Sequence, residues 1–428
     1  MSTVIKHLYT TALILCLGAM PAQATPKLLG PGSCSSSNCH GNVKPLKSSN
    51  VLQNEYITWS RHDRHARAYQ TLQGADSKRI AINLGIGDPA KEPLCLGCHA
   101  VHTTPPQPMG DKFRLEDGVS CEACHGAAEE YLKSHAITGA SHSENVANGL
   151  TDLSNMGTRA TLCLSCHFGT EEKTVNHNLY GAGHPRLTFE LDTFGVLQPK
   201  HWVVDTDYER RKGPYVPART WLLGQVHHAQ AALRALESPT RSRNGSLPEL
   251  ALFDCYSCHH SLGEKQWRKR TYGGRPGQLK LNLPSLITLQ VTTGALDPAL
   301  GNRLAQEIRS LHDSAMKGSV QTSIDSLQSM IVSEVDPLLG GIPIDPSTTT
   351  RILTGLANYA ANNPGPTFEV AEQLGMGMQA MIASSPELAK RYDARLKDLF
   401  ATLTNPDSFK PDAFTRQAMT FYRLLSSR

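Results

Sequence analysis

The sequence predicts a mainly α protein in two parts, the first with short helices and little regular structure and the second all-helical. Every cysteine lies before residue 259, and of the 18 histidines only His312 lies beyond residue 260. Glycine, proline and short helical patterns fill this first part, without the period-two alternation of strands. After about residue 284, apolar residues recur with helical spacing. We therefore expect two regions, residues 25–284 and 285–428.

Residues 1–24 have the pattern of an export signal. A short basic region with Lys6 and His7 precedes an apolar run, and a small-x-small AQA site follows at 22–24. We expect the mature chain to begin near Thr25. The run is short for a membrane anchor, and the residues before Cys16 are a poor lipidation context. No later stretch reaches the roughly 18 apolar residues of a span. We expect a soluble protein in the periplasm or otherwise exported.

Composition excludes some classes of protein. The chain is 39% hydrophobic and 19% charged, which is typical of a globular protein with a core. Its formal net charge of +4 is too small to predict a nucleic-acid partner.

Ten of the 11 cysteines form five pairs, each followed at once by a histidine. Four pairs read C-x-x-C-H, the attachment motif of haem c, in which the sulfurs bond the porphyrin and the histidine ligates its iron. Chance predicts about 0.01 such motifs in this chain. Zinc ribbons and disulfides also use paired cysteines, but neither needs the histidines. The pairs are Cys34 and Cys39, Cys95 and Cys98, Cys121 and Cys124, Cys163 and Cys166, and Cys255 and Cys258.

The first pair is spaced differently, as CSSSNCH with four residues between the cysteines. Beside four standard motifs we interpret it as a fifth haem c site. The alternative is a local disulfide that leaves His40 unligated. The sequence thus predicts about five haem c groups. Their expected proximal iron ligands are His40, His99, His125, His167 and His259.

The remaining histidines can supply second axial ligands. Histidine on both sides keeps haem potentials low, whereas methionine raises them. Met109 and Met156 lie in this region, but the histidine surplus favours histidine. An iron without a sixth ligand could bind a small molecule. That difference separates an electron carrier from an enzyme.

Helical patterns occur in both parts. We expect helices over 54–73 and 219–237, and then over 301–316, 322–335, 348–362, 368–385 and 386–403. Ser385 before Pro386 is a predicted N-cap, and Met376, Met378 and Met381 are expected core residues.

Several segments resemble the multihaem cytochrome c-554 and hydroxylamine oxidoreductase-like family. They include DGVSCEACHGAAEEYLKSH (117–135), TWSRHDRHARAYQTL, VNHNLYGAGHPRLTFELDTF (175–194), PKHW (199–202) and FDCYSCHHSL (253–262). The resemblance covers about 30–280. Eight haems would be needed for a hydroxylamine oxidoreductase proper, and five motifs cannot supply them.

The resemblance also implies distal ligands. His65 is implied for the haem on Cys121 and Cys124, and His135 for the haem on Cys34 and Cys39. The haem on Cys95 and Cys98 would have no distal side chain. The remaining candidates are His177 and His184 for the last two haems, in an open order, with His201 in reserve.

Three functions follow from these patterns. The first is an electron carrier that exchanges electrons with redox partner proteins through mostly bis-histidine haems. The second is an oxidoreductase for a nitrogen or sulfur oxyanion or nitric oxide at an open haem on His99, with His102, Arg61 and Arg64 as distal polar groups. In the third, the helical second part docks the cytochrome to its partner.

Overall fold

The computed structural model describes residues 25–48, 51–103, 105–255, 258–259, 279–363 and 365–427. The predicted export signal at 1–24 therefore lies outside the described residues. The fold is mainly α, which confirms the prediction; the described strands are β1 (Arg243–Asn244) and β2 (Leu247–Pro248), an antiparallel pair. None of the helices formed by the described residues has the length and apolar character of a membrane span.

The helices of the first part are short, and turns separate them. The apolar side chains between them form small separate clusters rather than one core. These helices are α1 Glu55–His62, α2 Ala68–Leu72, α3 Ala75–Leu84, α4 Pro93–His99, α5 Cys121–His125, α6 Tyr131–Ser134, α7 His142–Ala147, α8 Met156–His167, α9 His177–Gly181, α10 Leu191–Leu197 and α11 Thr206–Lys212.

The single helix expected over 54–73 is interrupted, so that prediction was wrong in its extent. α1 ends at His62, and Asp63 is extended at φ −82° and ψ 129°. The Asp63 carboxylate accepts a hydrogen bond from the His65 amide at 3.0 Å and so caps a 3-10 turn over Arg64–Arg67. α2 then continues the chain. An aspartate that bonds backbone two residues ahead competes with the helix at this point.

The long helix expected over 219–237 is confirmed as α12 (Pro217–Glu237), with Pro217 at its first turn. It is buried along most of its length. One side of α12 packs on α8, and the other packs on helices of the second part. Trp221, Leu222 and Val226 are fully buried in the main core together with residues beyond 284. The main core thus begins well before the domain boundary that the sequence predicts.

The second part is a helical bundle around that core. The helices expected beyond residue 300 are all present, Ser385 caps one of them, and Met378 and Met381 are fully buried. α12 is followed by α13 Pro239–Ser242, and the bundle then consists of α14 Pro284–Leu296, α15 Pro298–Lys317, α16 Gln321–Met330, α17 Asp336–Gly341, α18 Pro346–Asn362, α19 Phe368–Ala383, α20 Pro386–Phe400 and α21 Pro411–Ser426.

Candidate haem-binding sites

The C-x-x-C-H motifs lie on short helical turns. α4 and α8 end on His99 and His167, and α5 is formed by its motif alone. In the last motif the His259 amide donates to the Cys255 carbonyl at 2.8 Å, which closes one turn. Residues four apart share a helix face, so each histidine lies beside the first cysteine of its motif. None of the ten cysteines that the structure describes forms a disulfide.

The first motif reaches a related arrangement with a longer loop. The His40 amide donates to the Cys34 carbonyl at 3.1 Å, the same donor and acceptor positions as in the Cys255 turn. The Cys39 amide donates to the Ser36 carbonyl at 2.9 Å and closes a separate small turn between the cysteines. Although the loop between the cysteines is two residues longer, the histidine therefore still lies next to the first cysteine of its motif.

Every predicted proximal histidine faces one of the predicted distal candidates. A metal–imidazole bond of about 2.0 Å and a ring radius of about 1.1 Å would separate the ring centroids of two imidazoles on one iron by about 6.2 Å. The observed separations match this distance closely. They are 6.2 Å for His40 and His135, 6.3 Å for His167 and His65, 6.5 Å for His99 and His184, 6.2 Å for His125 and His201, and 6.2 Å for His259 and His177.

Hydrogen bonds at Nδ1 orient several of these rings. His99 Nδ1 lies 3.0 Å from the Ala68 carbonyl oxygen, and His135 and His184 bond carbonyl oxygens in the same way. Two other rings bond carboxylates at 2.9 Å, His40 to Glu55 and His65 to Asp63. Metal-bound histidines commonly donate their second N–H to such acceptors. These bonds at Nδ1 leave Nε2 of each ring as the nitrogen that would ligate a metal, so the residues fit an iron ligated from both sides.

The electrostatic surroundings differ among the rings. Hydrogen bonding to Glu55 raises the pKa of His40, and hydrogen bonding to Asp63 raises that of His65. Burial lowers the pKa of His125 and of His167 to about 4. A buried imidazole that stays neutral is the form that ligates a metal.

Interactions between thiols show which motifs are neighbours. The Cys34 and Cys121 thiols shift each other's pKa, and so do the Cys98 and Cys166 thiols. These interactions join the first motif to the third and the second to the fourth.

The third and fourth motifs are joined in turn, because Cys124 interacts electrostatically with Cys163. Tyr180 of α9 lies between the fifth motif and the second site. Burial and, to a smaller extent, the charge of Cys255 raise its pKa, and its ring lies 6.5 Å from that of His184, which faces His99. These neighbours order the motifs in a series: first, third, fourth, second and fifth.

Glu122, between the cysteines of the third motif, ties two motifs together. Its buried carboxylate accepts backbone hydrogen bonds from Leu29 at 2.8 Å, Gly30 at 2.7 Å and Ala128 at 2.8 Å. Three such donors satisfy a buried carboxylate. The bonds from Leu29 and Gly30 hold the chain that enters the first motif against the third.

The pairs differ in part from those that the resemblance implies. His135 lies opposite His40, as implied, but His65 lies opposite His167 and not opposite His125. The physical reason is the break at Asp63, whose carboxylate holds the His65 ring and also accepts from Gln198 at 3.2 Å. The reserve candidate His201 lies opposite His125 instead.

The structure also differs from the resemblance at Cys95 and Cys98, whose haem was implied to lack a distal side chain. His184 lies opposite His99, and His177 lies opposite His259. Other candidate residues have different neighbours: His142 bonds Asp152 at 3.0 Å, His228 packs against Phe168, and Met109 forms a bridge with Leu28. His260 lies outside the described residues.

Sequence reasoning missed the carboxylates behind the ligands. Asp63 could have been found from its position two residues before His65. Glu55 and Glu122 carry no such signal, because the histidine partner of Glu55 and two of the backbone donors to Glu122 are distant in sequence.

Cysteine pairs with adjoining histidines, each facing a second histidine at the distance of a shared metal, are the arrangement of a c-type cytochrome. Residues 34–126 match the family model of cytochrome c554 and c-prime, which supports a multihaem c-type cytochrome of this family with covalently bound haem c. No curated protein and no solved structure showed significant similarity to the chain.

Proposed function

We propose that the protein binds five haem c groups, each ligated by two histidines, and transfers electrons among them as an exported redox carrier. The observation that carries this proposal is the set of five facing histidine pairs at 6.2–6.5 Å. When bound, haem c supplies a one-electron couple, whose potential depends on its axial ligands and surroundings.

The protein's own residues have three roles in this proposal. The cysteine pairs attach the porphyrins, the proximal histidines ligate from the same turn, and the distal histidines come from elsewhere in the chain. Glu55 and Asp63 hold two of the ligands and increase their basicity, which favours the oxidised iron.

The series of motifs supports transfer from site to site. Cysteines of the first and third motifs, and of the second and fourth, are close enough to shift each other's pKa. Attachment points this close would place neighbouring porphyrins against each other. The first and fifth motifs are the ends of the series. We expect redox partners to exchange electrons with the protein at these two ends.

The geometry counts against the alternative of a small-molecule oxidoreductase at the haem on Cys95 and Cys98. That alternative requires an open sixth position on the iron ligated by His99. His184 lies opposite His99 at 6.5 Å and would fill it.

Three measurements test the proposal. The mass of the protein made with a cytochrome maturation system should exceed that of the chain from Thr25 by five haem groups, and a pyridine haemochrome assay should give the same count. The oxidised protein should show only low-spin iron. The reduced protein should not bind carbon monoxide.

Serine variants of single motifs provide matched controls. Replacing Cys34 and Cys39 should remove one haem, and replacing Cys255 and Cys258 should remove a different one. If the wild type carries four haems and the Cys34 and Cys39 variant also carries four, attachment at the first motif would be contradicted.

A further inference from the structure

A segment without helix or strand connects two of the iron sites. Residues 185–190, which we call the strap, lie between His184 and the start of α10. Gly183 just before it has φ +113°, which turns the chain at His184. His184 Nδ1 contacts the Pro185 carbonyl oxygen at 2.7 Å, so the orientation of the ring depends on the position of the strap.

Arg186 of the strap is bound to α19 of the helical bundle. Its guanidinium Nη1 donates to Glu369 Oε1 at 2.7 Å, and Nη2 lies 3.9 Å from Glu372 Oε2. The same guanidinium lies 4.7 Å from the centre of the Phe368 ring. One side chain thus contacts three residues in the first two turns of a single helix.

Two further contacts secure the rest of the strap. Thr188 Oγ1 donates to Glu372 Oε2 at 2.6 Å, and Gln373 Nε2 donates to the Phe189 carbonyl at 3.2 Å. The Phe189 ring stacks on His167 with centroids 5.0 Å apart. The strap is therefore held by α19 along its length, with one predicted iron ligand at its start and another against its end.

These polar contacts are shielded from solvent. The side chains of Arg186, Glu369 and Glu372 are 24%, 13% and 15% exposed, compared with 53% and 38% for the Arg303–Glu334 pair of the same bundle. Exposed ion pairs contribute little to stability, whereas removing one partner of a shielded pair leaves an uncompensated charge. Losing the contacts at Arg186 should therefore release the strap.

We propose that α19 positions the distal ligand of the Cys95 and Cys98 haem, with Arg186 as the positioning residue that keeps His184 opposite His99. In this proposal the helical bundle keeps the sixth position of that iron occupied by His184. This is the site that the family resemblance would leave without a distal side chain. This inference rests on the proposed function, because it requires that His99 and His184 ligate one iron.

The test uses the matured full-length protein and changes α19 rather than the strap. Glu369→Gln combined with Glu372→Gln leaves every residue near His184 unchanged. We expect high-spin ferric iron equal to one haem in the electron paramagnetic resonance spectrum. We also expect carbon monoxide to bind one haem of the reduced protein. Arg186→Gln should behave in the same way, and Arg186→Lys, which keeps the charge, should retain more low-spin iron.

Arg303→Gln is the matched control, since it removes an exposed ion pair from the same bundle and should leave all iron low-spin. Fully low-spin iron in both Arg186→Gln and the double glutamine variant would overturn the inference. If either variant fails to mature, Thr188→Val replaces it, because it removes a weaker contact of the strap. We expect this variant to show a smaller fraction of high-spin iron. The absence of high-spin iron would contradict the inference. A wild-type protein that already shows one open haem would instead contradict the bis-histidine proposal itself.

Discussion

The two parts of this molecule are held together in different ways. In the bundle formed by α12 and α14–α21, side chains such as Leu286, Leu304 and Phe414 are fully buried in one continuous core. In the part that carries the first four motifs, residues 25–216, the apolar clusters are small, and buried carboxylates and histidines link the short helices. Short helices with little apolar burial are marginal without further stabilisation. The difference indicates that the bundle is stabilised by its own core, whereas the first part depends on its cofactors.

The strongest test of this comparison is the haem-free chain. Made without a maturation system, it should be cut by protease throughout residues 25–216, while a fragment from α12 onwards resists. Mass spectrometry of the digestion products would locate the boundary. Equal resistance of both parts in the haem-free chain would show that the first part does not need cofactors to fold.

Removing the carboxylate that joins two motifs should have the next largest effect. Glu122→Ala leaves three buried backbone donors without an acceptor and should lower the free energy of unfolding by about 3 kcal/mol. Thermal unfolding of the holoprotein measures this change. Glu129→Ala is the control, because Glu129 also accepts a backbone hydrogen bond, from Lys27, but lies at the surface. Equal effects at Glu122 and Glu129 would refute a special role for the buried carboxylate.

A packing change tests the bundle in the same assay. A Cβ atom on Gly377 of α19 would lie 2.5 Å from the ring of Trp221 on α12, closer than atoms can approach. Gly377→Ala should therefore cost about 1–3 kcal/mol. The helical glycine Gly341 has open space around it, so Gly341→Ala should cost nothing. An unchanged melting temperature in Gly377→Ala would mean that the two helices are not tightly packed.

The pH dependence of stability probes the contact between the two parts. Burial raises the pKa of Glu190, at the end of the strap, to about 7, and that of its neighbour Asp192 to about 6. The protonated Glu190 is thus favoured in the folded state. Its contribution is complete below the ordinary pKa of about 4.5 and is lost as pH rises through about 7.

Glu190→Gln should remove this dependence, because a glutamine side chain is uncharged at every pH. The stability of the wild type relative to the variant should fall between pH 4.5 and 7, by about 3 kcal/mol. Thermal unfolding at several pH values would measure the difference. A constant difference across this range would show that Glu190 ionises normally.

The smallest expected effect concerns a single iron. Asp63→Asn should make His65 a weaker electron-pair donor to its iron. The potential of the haem on Cys163 and Cys166 should then rise by roughly tens of millivolts. A spectroelectrochemical titration measures the potentials. Asp76→Asn is the control, because Asp76 forms an ion pair with Arg79 at the exposed surface. A change of equal size in both variants would indicate a general charge effect.

Local spacing in the sequence was sufficient to predict many features of this protein. The cysteine pairs with their histidines predict haem attachment because both features lie within one helical turn. Apolar periodicity predicted the bundle helices, and the Ser385 cap followed from two adjacent residues. The five histidines that face the proximal ligands were expected from the family resemblance and from the surplus of histidines, not from local spacing.

The pairing itself required the tertiary structure. His65 faces His167 and His201 faces His125 because Asp63 interrupts a helical pattern and binds side chains 2 and 135 residues away. His184 faces His99 because a strap without regular structure is held by α19, 183 residues beyond Arg186. Periodicity and spacing report only on neighbours along the chain. Which histidines face each other depends on contacts between distant segments, which only the folded molecule decides.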